Sequence, residues 1–395
     1  MGKEVRNIIV VGGSFAGLTV AHTLLRHTIS AVISTATDKN VHYKVILVST
    51  STHFYWVVGS PRSLVRPDLI PVDKSTFPIA DAFASYPAES FEFILGQANA
   101  LNLTARTLTV AKKSGGDVTM GYDTLVLATG ASSSNPLWST KYGHQRTIDE
   151  TKRINKQILG AKTLVIAGGG AAGVETAGEA GYEYGNKKKI ILFSGSTRLL
   201  LKLRPAIAET AEETLKGFKI TVRHNIKIVN NEVTGDGQTK LTLSNGSTMT
   251  TDLYIDATGL QPNSQFIPKA LLNEQGSVIT TPYLRVPEAG PRVYALGSVA
   301  AHSDGGILDV WNSIPAIMSN IQFDLSDGKS AKEKAYHRPE KEMQAVPLGR
   351  NKGVGAFYGY RIPSLMIWML KGRHYMLPEA KGVVDGSKYV RSVTG

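Results

Sequence analysis

Twice in 395 residues an apolar run passes through a glycine-rich turn into a helical pattern, and few folds accept that arrangement twice. The first copy reads NIIVVGGSFAGLTVAHTLLR: residues 8–11 make the strand, Gly12, Ser14 and Gly17 take the three fingerprint positions, and residues 18–25 make the helix. The second reads KTLVIAGGGAAGVETAGEAG, with Gly168, Gly170 and Gly173 in the same places. A first glycine allows the tight strand-to-helix turn, a second lets a pyrophosphate approach the backbone, and a third lets helix and strand pack closely. Unpaired N–H groups at the helix start then face the anion. One such turn also occurs as a plain packing solution. Two in register predict an α/β protein with two Rossmann-like dinucleotide-binding units, and hence redox chemistry.

The composition narrows that chemistry. Hydrophobic residues at 42% and charged residues at 19% belong to a folded chain, long enough for two sizeable cores and a smaller third piece. No apolar run reaches the ~18 residues of a bilayer span. MGKEVR leads straight into the first strand, so no cleaved leader is expected, and the expected location is cytoplasmic or peripheral on a cytosol-facing membrane, not secreted. Met1-Gly2 opens as a myristoylation signal does, yet Arg6 stands where Ser or Thr is wanted. Cysteine is absent, which removes thiol relays and thiolate zinc sites; no metal is expected. The net charge of +12 is uneven: residues 329–395 hold 13 Lys and Arg against 5 Asp and Glu. That bias suits an anionic partner or a merely solvated basic face. The aromatic and basic interleaving of single-strand binders is missing, so nucleic acid is not an expected partner.

Strand patterns follow at residues 43–48, ahead of THFYWVVGSPRSLV, and over residues 91–109. YDTLVLATGA, residues 122–131, puts a buried strand before Ala128-Thr129-Gly130, and TDLYIDATGLQPN from Thr251 repeats it at Ala257-Thr258-Gly259. The whole second glycine unit, with a meander-like stretch at 219–250, lies between the two. That nesting predicts one nucleotide domain inserted in another: 1–135 and 260–328 outside, 136–259 inserted, and a C-terminal module, 329–395, reached through the polar hinge SDGKSAKEKAYHRPEK. RVYALGSVAA returns to the outer sheet at 293–296, before a helix over 309–325. In the module, Leu365, Met366, Ile367, Trp368, Met369 and Leu370 run up to Lys371 and Arg373. An apolar stretch edged by cations suits a membrane surface, the wall of an apolar tunnel, or burial against the core.

Together the first fingerprint, HFYW followed by Pro61-Arg62, the two ATG strands, GGGAAGVETAGE, YALG and the terminal GRNKGVG with LKGRHYM resemble the apoptosis-inducing-factor-like (AMID) flavoproteins. That group includes ferroptosis suppressor protein and fungal relatives, and is similar to the type II NADH dehydrogenases. The resemblance runs nearly end to end. It implies a discontinuous FAD domain, an inserted NAD(P)H domain, and a C-terminal region that shapes a site for a quinone-like or other apolar acceptor at a membrane surface. Hydride passes from NAD(P)H to flavin by stacking, and protein groups orient and tune. By the same resemblance Glu175 sits beside the nicotinamide ribose, Tyr55 near the flavin ring, and Lys371 and Met376 at the nicotinamide and acceptor approach. Flavin contacts are expected from Gly12, Gly13, Ser14, Phe15, Ala16 and Gly17, from Ser49, Arg62, Ala98, Thr129 and Gly130, and from Gly297, Ser298 and Val299. Gly168, Gly170, Ala172, Gly173, Ser194, Arg198, Thr258 and Gly259 are expected around NAD(P)H. Trp56, Trp311 and Phe357 join Met376 on the acceptor side.

Three departures fall on the flavin side. Ser14 replaces the middle glycine, Ser49 stands where an acid holds the adenosine ribose, and Ser298 stands where the resemblance places a carboxylate for the ribityl chain. A hydrogen bond to a charged group contributes about 1.5–3 kcal/mol, so two lost carboxylates remove roughly 3–6 kcal/mol. An alternative reading follows: a repurposed biosynthetic member with weakened or lost FAD binding and a non-quinone or redox-neutral reaction. In the inserted unit Ser194 and Arg198 replace an acid, which suits NADPH over NADH.

Overall fold

The computed structural model describes residues 4–37 and 40–393; the Met1-Gly2 start lies outside them. Strand Glu4–Val11 is central in a seven-stranded sheet, ordered Val293–Ala295, Thr124–Leu127, Glu4–Val11, Val41–Ser49, Phe91–Asn102, Thr107–Lys112, Asp117–Gly121. The first five strands run parallel and the last two close it as antiparallel turns of a meander. Ile8, Ile9 and Val10 are all fully buried, as successive residues of a parallel strand covered on both faces must be. Ile8 and Val10 join the core that includes Leu18, Ile314 and Ile317, while Ile9 and Val11 join the opposite one with Leu108, Val110 and Val278.

The inserted unit repeats the plan in a four-stranded parallel sheet, Ile220–Arg223, Lys189–Phe193, Thr163–Ala167, Leu253–Asp256. Ala131–Ser132 pairs antiparallel with Gln261–Pro262, so the chain leaves and re-enters the outer unit through two adjacent extended segments.

Most expected elements shift only at their ends. The first helix starts at Phe15 and passes through a wider turn, Leu24–Thr28, into Ile29–Thr35; the 309–325 helix spans Ile307–Leu325. The 91–109 stretch is two strands, Phe91–Asn102 and Thr107–Lys112, rather than one. In the C-terminal module Gln344–Leu348, Lys352–Phe357 and Tyr360–Arg361 form an antiparallel sheet. A Cβ on Gly353 would lie 2.4 Å from the Ile367 side chain and one on Gly355 2.8 Å from it, so the bare glycine backbone makes the space in which Ile367 buries. The rest of the apolar stretch divides: Leu365, Met366, Met369 and Leu370 are 49–66% exposed. No helix among the described residues is long and apolar enough to cross a membrane.

Candidate functional site

The two glycine turns close alike. A Cβ on Gly12 would lie 2.2 Å from the Ala128 carbonyl oxygen, and one on Gly168 2.7 Å from that of Ala257. Both glycines hold φ at 128°, which side chains rarely adopt. Gly17 and Gly173 press on the carbonyls of Gly12 and Gly168, where a Cβ would come within 1.8 and 2.1 Å. The middle position is different. A Cβ on Gly170 would meet nothing within 4 Å, and Ser14 occupies the matching place in extended backbone at φ −122°. Serine is therefore free of strain there.

A cavity of about 950 Å³ opens on the first turn. Its wall takes Gly12, Gly13, Ser14, Phe15, Ser49 and Ala98 from the outer unit, together with Tyr55, Thr129, Gly130 and Ser298. The inserted unit adds Ala172, Glu175 and Thr258, and the C-terminal module adds Phe357, Lys371 and Met376. Glycine turn, inserted helix and terminal module thus share one space of dinucleotide-accommodating size.

Glu175 and Glu179 lie one turn apart on helix Ala171–Tyr184, and Lys371 and Tyr375 lie four residues apart opposite them. Lys371 Nζ donates to Glu175 Oε1 at 2.5 Å, and Tyr375 Oη donates to Glu179 Oε1 at 3.1 Å. Burial pushes the Glu175 carboxyl up to about 7, and the Lys371 charge restrains it. Glu179 is fully buried and neutralised by Arg62, whose Nη2 and Nε reach its two oxygens at 2.7 and 3.1 Å. Tyr375 and Met376 both hold positive φ, at 49° and 56°, a strained conformation for side-chain-bearing residues. Trp56 Nε1 fixes it by donating to the Tyr375 carbonyl at 2.8 Å. Tyr55 is buried with its hydroxyl 2.7 Å from Ser60 Oγ, and burial pushes its phenol up to about 12.

Several expected roles move. Arg62 does not touch the cavity: besides Glu179 it donates to the carbonyls of Gly372, Arg373 and Gly349, at 2.6, 3.2 and 3.2 Å, and so binds the terminal module to the inserted helix. Trp56 is fully buried behind the wall, and Trp311 stacks on Tyr389 at 3.8 Å rather than lining the space. Ala16, Gly17, Gly297 and Val299 are not in the wall, nor are Gly168, Gly170, Gly173, Ser194, Arg198 and Gly259, of which Gly168, Gly173 and Ser194 are buried in the inserted unit. There the Arg198 guanidinium donates to the carbonyls of Leu199, Leu200, Leu201 and Leu203, at 3.3, 3.1, 3.1 and 2.6 Å. The guanidinium is thus turned toward its own loop, while Ser194 still leaves the end of its strand without an acid. Sequence reasoning missed Lys202, which bridges to Asp304 at the rim, and Asp309, in the wall. It also missed that residues 338–341, the end of the stretch read as a polar hinge, form one side of the cavity together with residues 342–345.

Residues 6–321 match the model of the pyridine nucleotide-disulphide oxidoreductases. The chain belongs to that family. Oxidoreductase phnG of Penicillium herquei is 34% identical over 98% of this chain and 97% of its own. Ferroptosis suppressor protein 1 of Xenopus laevis is 26% identical over 94% of each chain, in keeping with the AMID-like resemblance. Among solved structures the sulfide:quinone oxidoreductase from Aquifex aeolicus covers 99% of this chain and 93% of its own with a TM-score of 0.69 at 16% identity, a likeness of fold alone. Membership of this family supports an NAD(P)H-dependent flavoprotein oxidoreductase.

Proposed function

We propose that this protein passes reducing equivalents from NAD(P)H through FAD to a quinone-like apolar acceptor. Residues 1–135 and 260–328 hold FAD in this reading, 136–259 hold NAD(P)H, and 329–395 shape the acceptor's approach. The observation that carries it is the single cavity shared by the first glycine turn, Glu175 of the inserted helix and the Phe357, Leu370 and Met376 side chains of the module.

The residues present fit FAD: side chains at Gly12 and Gly17 would collide with the carbonyls of Ala128 and Gly12, so the turn must stay bare and tight, and Gly12, Gly13 and an unstrained Ser14 face the cavity. Bound FAD supplies the two-electron exchange between nicotinamide and acceptor. The chain's own work is to position and to manage protons. Ala172 and the helix start offer N–H groups to a diphosphate. Glu175 Oε1 and Lys371 Nζ hold a proton between them at the cavity wall, and with the carboxyl near 7 that proton is available to an acceptor at neutral pH. Phe357 and Leu370 line the cavity and are exposed, and Leu365, Met366 and Met369, near Leu370 in sequence, are exposed too, an apolar surface suited to an acceptor dissolved in lipid and to peripheral contact with a membrane.

The test is spectroscopic. The purified protein, reconstituted with FAD if needed, should show flavin absorption that NADH or NADPH bleaches without oxygen and a short-chain quinone restores. No flavin binding after reconstitution defeats the proposal. Bleaching without recovery on quinone favours the second reading, a non-quinone biosynthetic reaction, which the absence of acids at Ser49 and Ser298 supports.

A further inference from the structure

The flavin-side cradle lacks a carboxylate at both places where the resemblance asks for one, and neither serine is an obvious replacement. Ser49 Oγ donates to the Ser51 carbonyl at 2.9 Å and receives the Ser51 N–H at 3.2 Å, so it serves its own turn. Ser298 is in the cavity wall, with Gly305 beside its hydroxyl. The same wall contains a carboxylate that the sequence pattern did not single out. Asp309 lies in the first turn of helix Ile307–Leu325, 8% exposed, with Gly305 and Gly306 next to it in the lining. Tyr336 Oη donates to its Oδ1 at 2.6 Å, and Ser303 Oγ donates to its Oδ2. Ser303 Oγ in turn receives the Gly305 N–H at 3.1 Å, which folds the 303–306 loop around the carboxylate.

This is an unusual place to bury an acid. Its hydrogen-bond partners are hydroxyls, not a cation. A carboxylate has room for about four hydrogen bonds, and Tyr336 and Ser303 supply two. The remaining acceptor capacity belongs to a group that the cavity wall presents to a ligand. We infer that Asp309 is the carboxylate of the flavin site, accepting hydroxyl hydrogen bonds from the polyhydroxyl chain of FAD in place of an acid at 298. Tyr336 and Ser303 are its positioning residues. Helix Ile307–Leu325 thereby supplies from its first turn what the end of strand Val293–Ala295 lacks.

The inference rests on FAD being the ligand proposed above. Its test is FAD affinity, read by quenching of flavin fluorescence on the full chain stripped of flavin, for the natural protein and for Asp309→Asn, Ser298→Asp and the double variant. Asp309→Asn is expected to weaken FAD by roughly ten- to a hundredfold. The double variant is expected to recover most of that loss, because a carboxylate returns to the same wall. Ser298→Asp alone should change affinity by less than about threefold. An Asp309→Asn protein that binds FAD as the natural one does, or a double variant that recovers nothing, overturns the inference. Should Asp309→Asn fail to fold, Ser298→Asp decides alone: tightening by about tenfold or more means that the site had no carboxylate. Failure of the natural protein to bind FAD sinks the proposed function itself, a result distinct from all of these.

Discussion

Replacing Lys371 by methionine keeps most of the side chain's length and removes the charge that faces Glu175 across 2.5 Å. An opposite charge this close lowers a carboxyl pKa by about 1 to 3. Glu175 stands at about 7 with that charge in place, so in Lys371→Met it moves to roughly 8–10, a change of about 1.4–4 kcal/mol in favour of the protonated form. The direction is fixed by the raised value. A carboxyl whose folded pKa lies above its unfolded one adds stability below the ordinary carboxyl range and loses it as pH rises through the folded pKa. Protonated Glu175 therefore fades above about pH 7 in the natural protein and persists into the alkaline range in the variant. The assay is anaerobic stopped-flow reoxidation of the NADH-reduced enzyme by a water-soluble benzoquinone across pH. The natural enzyme should slow as pH rises through about 7, the variant only at the higher value, and Glu175→Gln should show no such limb. An unmoved limb in Lys371→Met, or one displaced downward, refutes the role given to the pair.

Gly170→Ala should leave the inserted unit folded, since its Cβ meets nothing within 4 Å, and should weaken NAD(P)H binding by crowding the diphosphate; Gly173→Ala, 2.1 Å from the Gly168 oxygen, should instead unfold the turn. Circular dichroism and NADH titration of the two separate these effects. Arg62→Met strands Glu179 as an unpaired buried charge, at a cost of about 3–5 kcal/mol, and a thermal melt of the flavin-free protein should register it. Arg198→Ala should alter kcat/KM for NADH and NADPH by the same factor, because the guanidinium serves the carbonyls of its own loop; a loss confined to NADPH returns Arg198 to phosphate recognition.

The nested fold was legible because its signals are local. A glycine forced by a neighbouring carbonyl and an apolar run buried on both faces leave their mark within a dozen residues, as Gly12 and residues 8–11 do. The cavity wall was legible where a motif sits on such an element, as Glu175 does on the inserted helix. Arg62 and Trp56 were misread because their partners, Glu179, Gly372 and Tyr375, are remote in sequence and nothing local announces them. Asp309 carries no spacing signal at all. Residues 338–341 were hidden by their composition, since a polar stretch in one wall of a cavity has the same residues as a polar linker.

The opposed pairs Glu175 with Lys371 and Glu179 with Tyr375 impose an order on biogenesis. Until residues 371–376 arrive, Glu175 has no cation beside it, Glu179 has Arg62 but no phenol, and the mouth has no far side. A chain interrupted before that point therefore lacks the assembled cavity wall, so a half-made protein cannot offer a ligand the space that the finished one does.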